Sequence, residues 1–132
     1  MKRILSRTIC LLLLITMILP VAFATEHNMI QPRYTYVRML NAHIDITGST
    51  ATIAANFSTY TSYDLKLACK LQHKVGSTWK DVQIWSKESS NISHISLTKE
   101  YPISVGEQYR LIVYGYVYNE NSMIEYVHTT AT

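Results

Sequence analysis

From Tyr34 to the carboxyl terminus, apolar residues return at every second position. Between Glu107 and Asn119, Tyr109, Leu111, Val113, Gly115 and Val117 fall on one side. Arg110, Ile112, Tyr114, Tyr116 and Tyr118 fall on the other. A period of two belongs to a pleated strand with one buried face, not to a helix, whose faces repeat every 3.6 residues. Residue choice agrees: Val, Ile, Thr and Tyr favour strands, and all 10 tyrosines lie after residue 33. Helix signals are nearly absent, so the chain is expected to be all-β.

Turn residues divide the alternating region. Strands are predicted over 34–46, 50–59, 63–73, 79–85, 92–98, 107–119 and 123–129. Gly48-Ser49, Val75-Gly76-Ser77 and Asn119-Glu120-Asn121-Ser122 read as tight reversals, and 60–62 and 87–91 as links. About seven short strands spaced by turns point to an antiparallel sandwich burying one side of each strand.

The first 24 residues are of another kind. Lys2, Arg3 and Arg7 precede the apolar stretch Thr8–Leu19, Pro20 breaks it, and Ala22-Phe23-Ala24 offers the small residues a signal peptidase reads. An apolar run of about 12 residues falls short of the roughly 20 needed to span a bilayer. Residues 1–24 therefore read as a removed signal peptide, 25–32 as a flexible leader, and 33–132 as one β-sandwich domain. The expected location is extracellular, with no stable membrane anchor after cleavage.

Removing that segment changes the electrostatics. Its three basic residues carry the whole formal excess of +3, so the remaining chain is neutral and offers no basic surface for nucleic acid. Its size excludes a Rossmann or barrel enzyme. Of the two cysteines, Cys10 and Cys69, only the second remains. It alternates with Leu65, Leu67 and Leu71, which marks it as a small core residue. The domain must then be held by its core alone.

The segment Ile103-Ser104-Val105-Gly106, followed by Tyr109, resembles the turn and strand that carry the tyrosine corner of fibronectin type III and immunoglobulin-like domains. That resemblance implies a Tyr109 hydroxyl bonded to backbone near 103–105, in an all-β, antiparallel immunoglobulin/fibronectin-III-like sandwich. Cys69 has no partner cysteine in the 107–119 strand, so no disulfide pins the layers. Several stretches together also resemble a group of small secreted proteins of Gram-positive bacteria, clostridia and relatives. They are Pro32-Arg33-Tyr34-Thr35-Tyr36, Ile44 to Ala51 around Gly48, Leu71 to Trp79, and Val105 to Arg110. This second resemblance implies a fold and no catalytic residues.

Chemistry-bearing patterns are sparse. The histidines at 27, 43, 73, 94 and 128 form no HxxxH, HxH or HExxH. His43 and Asp45 share a strand face, but two ligands do not make a metal site. No serine lies in GxSxG, no acidic pair has useful spacing, and no glycine loop grips phosphate. Asn56-Phe57-Ser58 and Asn91-Ile92-Ser93 match the glycosylation triplet. No cofactor, metal or catalytic residue is expected.

The candidate surface is aromatic. Tyr114, Tyr116 and Tyr118 share the outer face of one strand, Tyr126 flanks them across the hairpin if the register allows, and Trp79 and Trp85, an even number apart, share a face. Tyrosine and tryptophan bring rigid amphipathic area suited to recognition, although a tyrosine row also serves ordinary sheet packing. The expected function is non-enzymatic recognition of an extracellular protein or cell-surface glycan. The rivals are a self-assembling structural surface protein and a small secreted enzyme or toxin-like effector.

Overall fold

The computed structural model describes residues 34–132. The expected signal peptide and leader lie outside the described residues. Five antiparallel strands make one sheet: β1 (Val37–Thr47), β2 (Thr50–Val75), β3 (Thr78–Pro102), β4 (Tyr109–Asn119) and β5 (Ser122–Ala131).

Five strands appear where about seven are predicted because the two predicted links, 60–62 and 87–91, are themselves extended. Neither link contains Gly or Pro, and Tyr60-Thr61-Ser62 are comfortable in β backbone. The chain turns these corners with register breaks instead of loops. β2 slips against β3 between Ser58 and Tyr63 and again between Tyr63 and Leu65. On β3, Asn91 takes a φ of 53° beside the break, and its N–H donates to Asp64 Oδ1 at 2.9 Å. Extra residues of this kind bend a strand and raise its twist.

Each long strand therefore serves two leaves. In the first leaf, residues 50–59 of β2 pair with β1 on one side and residues 94–102 of β3 on the other. In the second, residues 64–75 of β2 pair with β4 and with residues 78–89 of β3, and β4 pairs with β5.

The core lies between the leaves. Ile53, Ala55 and Phe57 meet Leu67, Cys69, Leu111, Val113 and Val117, all buried. Phe57 lies on Gly115 of β4: a Cβ placed there would stand 2.7 Å from Phe57 Cε2. Gly115 is thus the socket for the largest fully buried side chain. Each buried aliphatic or aromatic side chain contributes about 1.5–3 kcal/mol. Cys69 is buried among them as a free thiol, and burial pushes its pKa up to about 11. At neutral pH it is protonated, a packing group and not a nucleophile.

Tight turns close the hairpins. Gly48 (φ 60°) and Gly76 (φ 62°) each begin a two-residue Gly-Ser loop, the arrangement of a II′ turn. Between β4 and β5 both central residues are left-handed, Glu120 at φ 48° and Asn121 at 67°. Asn tolerates that region and Glu does not. Replacing Glu120-Asn121 with Asn-Gly is expected to stabilise the fold by about 1 kcal/mol, read as a rise of several degrees in thermal midpoint.

The start of β1 is fastened to β5 by a side chain. Glu125 Oε1 accepts the N–H of Thr35 at 2.7 Å, and Oε2 accepts those of Tyr36 at 2.9 Å and Val37 at 2.8 Å. No backbone ladder joins β1 to β5. One carboxylate does the work of the missing ladder at that end.

Candidate functional site: an aromatic sheet face

The ladder registers decide which side chains stand together. Tyr116 of β4 pairs with Lys66 of β2 and Tyr126 of β5, and Tyr114 pairs with Ala68 and His128. Alternation then places Tyr114, Tyr116, Tyr118, Tyr126 and His128 on the outer face of the second leaf. Their rings form one continuous group. Ring centroids are 5.2 Å apart for Tyr116 and Tyr126, 6.5 Å for Tyr116 and Tyr118, and 6.2 Å for Tyr114 and Tyr126. His128 lies 5.8 Å from Tyr126 and 6.3 Å from Tyr114. Tyr126 is the most open of the four tyrosines, 43% exposed; its hydroxyl pKa is raised by burial and then by neighbouring Tyr116 and Tyr114.

Basic side chains flank the rings. Lys70 Nζ lies 5.9 Å from the Tyr114 ring centre. Lys66 holds Glu88 at 2.7 Å, and that hydrogen bond and charge raise the lysine pKa. The pair is exposed and contributes little to stability.

A polar chain continues across the same face. Arg110 Nε donates to Gln72 Oε1 at 2.7 Å, and Gln72 Nε2 donates to Asp81 Oδ1 at 2.5 Å. Lys70 stands 3.3 Å from the other Asp81 oxygen. The Gln72 hydrogen bond, then Lys70, hold the Asp81 pKa below its ordinary value. The Arg110 guanidinium lies 4.4 Å over Trp79. Alternation put Arg110 on the tyrosine side, but its stacking on Trp79 depends on a two-strand register that no local pattern encodes.

The tryptophans do not share a face. Between Leu71 and Gln72 the β2–β3 ladder slips, and Val82 becomes an extra residue in β3. Trp79 and Asp81 therefore stand on the outer face, whereas Trp85 opposes Cys69, packs on the core, and meets Tyr101 edge-on at 5.9 Å. The bulge reverses the parity of everything beyond it. Val82 and Ile84, which simple alternation groups on one face opposite the tryptophans, part for the same reason: Val82 packs on the core, and Ile84 is 55% exposed. A second bulge, between Val117 and Tyr118, separates Ile124 from Tyr126 and His128, with which simple alternation groups it, and Ile124 packs on the core.

The first leaf has a different outer face. Asn41, His43 and Asp45 line β1, and Thr52, Asn56, Ser96, Thr98 and Glu100 stand beside them. His43 and Asp45 do share that face. Among the described residues, no group of three or more His, Cys, Asp and Glu is arranged to hold a metal ion.

At one end of the sheet, His73, Glu107 and Tyr109 converge on an open hollow. The Tyr109 hydroxyl accepts the Ser104 N–H at 3.0 Å, the corner its sequence context implies, and donates to Glu107 Oε2 at 3.2 Å. His73 Nδ1 lies 3.0 Å from the same oxygen. These groups brace a turn. The hydrogen bonds from His73 and then Tyr109 lower the Glu107 pKa. Its stabilisation is therefore full above the unfolded carboxylate pKa and fades as pH falls through the lower folded value. A Glu107→Gln variant should lose part of the acid sensitivity of unfolding, seen as a flatter melting temperature between about pH 5 and 3.

No protein-family model matches the chain, and no curated protein does. Two solved structures are similar to it as small all-β domains. The E. coli curli protein CsgC is 12% identical, with a TM-score of 0.45 over 70% of this chain and 95% of that one. R. palustris CsgH is 6% identical, with a TM-score of 0.42 over 70% of this chain and 88% of that one. Neither likeness carries a function across.

Proposed function

We propose that the chain is an exported, non-enzymatic recognition module that binds an extracellular protein through the outer face of β4 and β5. One observation supports this above the rest: the two leaves differ in what they show outward. One presents mainly polar residues with Met39 and Ala54 among them and no ring cluster, and the other presents five contiguous rings flanked by Lys66 and Lys70. Strand propensity alone does not call for that asymmetry, since Thr and Asn serve the first leaf. Aromatic area at low conformational cost is what protein-binding surfaces are enriched in.

A protein partner suits the geometry better than a glycan. A sugar ring stacks on an open aromatic face. Here the rings lie against one another, with interplanar angles of 18° for Tyr114–Tyr126 and 28° for Tyr116–Tyr118. The Trp79 ring is covered by Arg110. What remains outward is edges and hydroxyls, suited to a broad, partly polar contact. The strand order β1, β2, distal β3 against proximal β3, β2, β4, β5 supports an immunoglobulin/fibronectin-III-like sandwich. The residue 1–24 pattern supports export.

The test pairs binding with folding. Surface proteins of the producing cell are captured by crosslinking to the chain, and the captured protein is titrated against Tyr116→Ser/Tyr126→Ser. Loss of about 30-fold or more in affinity, at an unchanged fold by near-UV circular dichroism, is expected for two central aromatic anchors. Unchanged affinity, or binding to a glycan array alone, would overturn the reading.

A further inference from the structure

The sheet leaves three outer strand edges without a ladder partner among the described residues: those of β1, β3 and β5. Unpaired rows of N–H and C=O groups template further pairing unless charge, proline or a bulge blunts them. β3 is blunted along its length. It carries Lys80-Asp81, Lys87-Glu88 and Lys99-Glu100, ends at Pro102, and is broken by the Val82 bulge and left-handed Asn91. β1 carries Arg38 and Asp45 and slips between Val37 and Met39.

β5 has none of these guards over 126–132. Tyr-Val-His-Thr-Thr-Ala-Thr contains no Lys, Arg, Asp, Glu, Pro or Gly, and its ladder to β4 is regular from Glu125 to Ala131. Five of these seven residues are aromatic or β-branched, the types that favour extended pairing. The last acidic side chain before it, Glu125, is turned to the amides of residues 35–37.

We propose that this edge pairs antiparallel, about a two-fold axis, with β5 of a second copy of the chain. The edge complements itself. Any register centred between Val127 and Thr130 sets Glu125 opposite Thr129, Thr130, Ala131 or Thr132, or opposite no residue of the described strand, so no two carboxylates meet across the seam. Basic and acidic residues balance over 34–132, so the approach of two copies meets no net repulsion. The outward residues Tyr126, His128 and Thr130 would continue into those of the second copy, joining two four-strand leaves into one surface. Such a two-fold contact closes on itself and yields a dimer. It stands apart from the protein-binding reading, since it uses the backbone edge of β5 and not the ring group.

Sedimentation of the exported chain from about 1 to 200 µM tests the pairing, alongside Thr129→Pro and Thr130→Pro. Adjacent residues of an edge strand send their N–H groups in opposite directions, so one of these two prolines removes an outward donor and leaves the β4 ladder intact. The expected result is a parent dimer, and a proline variant that keeps its near-UV signal but stays monomeric throughout the range. A parent monomeric at every concentration overturns the proposal. So does a dimer that survives in both variants while they remain folded. A monomer whose β5 amides resist exchange because residues 25–33 cover them overturns it too.

Discussion

Phe57→Ala is expected to lower unfolding free energy by about 3–5 kcal/mol, the cost of emptying a core aromatic site. A domain of this size has about 5–15 kcal/mol in total, so the variant should sit near the edge of folding. The reason is the position of the ring. Phe57 pairs with Leu40 and Ile95 in its own leaf and crosses the interior to lie on Gly115 of the other. Among the described residues no disulfide shares the load, because Cys69 is a free thiol.

The reciprocal change is equally informative. Gly115→Ala would drive a methyl to 2.7 Å from Cε2 and 2.8 Å from Cδ2 of Phe57. Overpacking of this sort costs about 1–3 kcal/mol, since the ring is fully buried in the core. The two changes should not add. In a Phe57→Leu background the alanine methyl has room, and its cost should fall by 1 kcal/mol or more, within the range known for residues in contact. Urea midpoints for the four chains at constant m-value measure this coupling. Additive costs would mean that the leaves do not interlock at this point, and the packing described above would be wrong there.

Gly115 illustrates what the sequence makes legible. Alternation places it on the buried side of its strand, yet nothing local says that a ring from 58 positions earlier in the chain fills its space. The hairpin turns are legible because Gly48-Ser49 and Gly76-Ser77 carry a left-handed requirement in the residues themselves. Tyr109 is legible because its corner closes within five residues, at Ser104. The link at 60–62 is not, because a bend built from strand-forming residues and bulges leaves no compositional mark. Trp85 fails for a sharper reason: one extra residue at Val82 inverts the parity on which the face assignment rests. The tyrosine face survives because the ladder joining Tyr114 and Tyr116 to β5 keeps an unbroken register from Glu125 onward.

Glu125→Ala is expected to release the start of β1. In the intact protein its two carboxylate oxygens accept three consecutive backbone N–H groups, from Thr35, Tyr36 and Val37. Hydrogen bonds to a charged group are worth about 1.5–3 kcal/mol, and a buried donor left unpaired costs about 1–3 kcal/mol. Val37 is buried and Tyr36 half-buried, so water cannot fully replace the carboxylate at those two amides. A loss of about 2–3 kcal/mol is expected, concentrated at one place. Amide exchange at 35–37 should accelerate by roughly 30-fold or more, while Ile53 and Val113 in the core should remain the most protected, at the variant's own lowered global limit. Glu125→Gln separates charge from shape. The amide retains one accepting oxygen and places an NH2 where the other stood, so it should fall between alanine and the parent, with Thr35 or the Tyr36–Val37 pair released first according to how it is turned. Exchange at 35–37 that stays at the parent's rate would contradict the clasp, since it would mean that those three amides are held by something other than the Glu125 carboxylate.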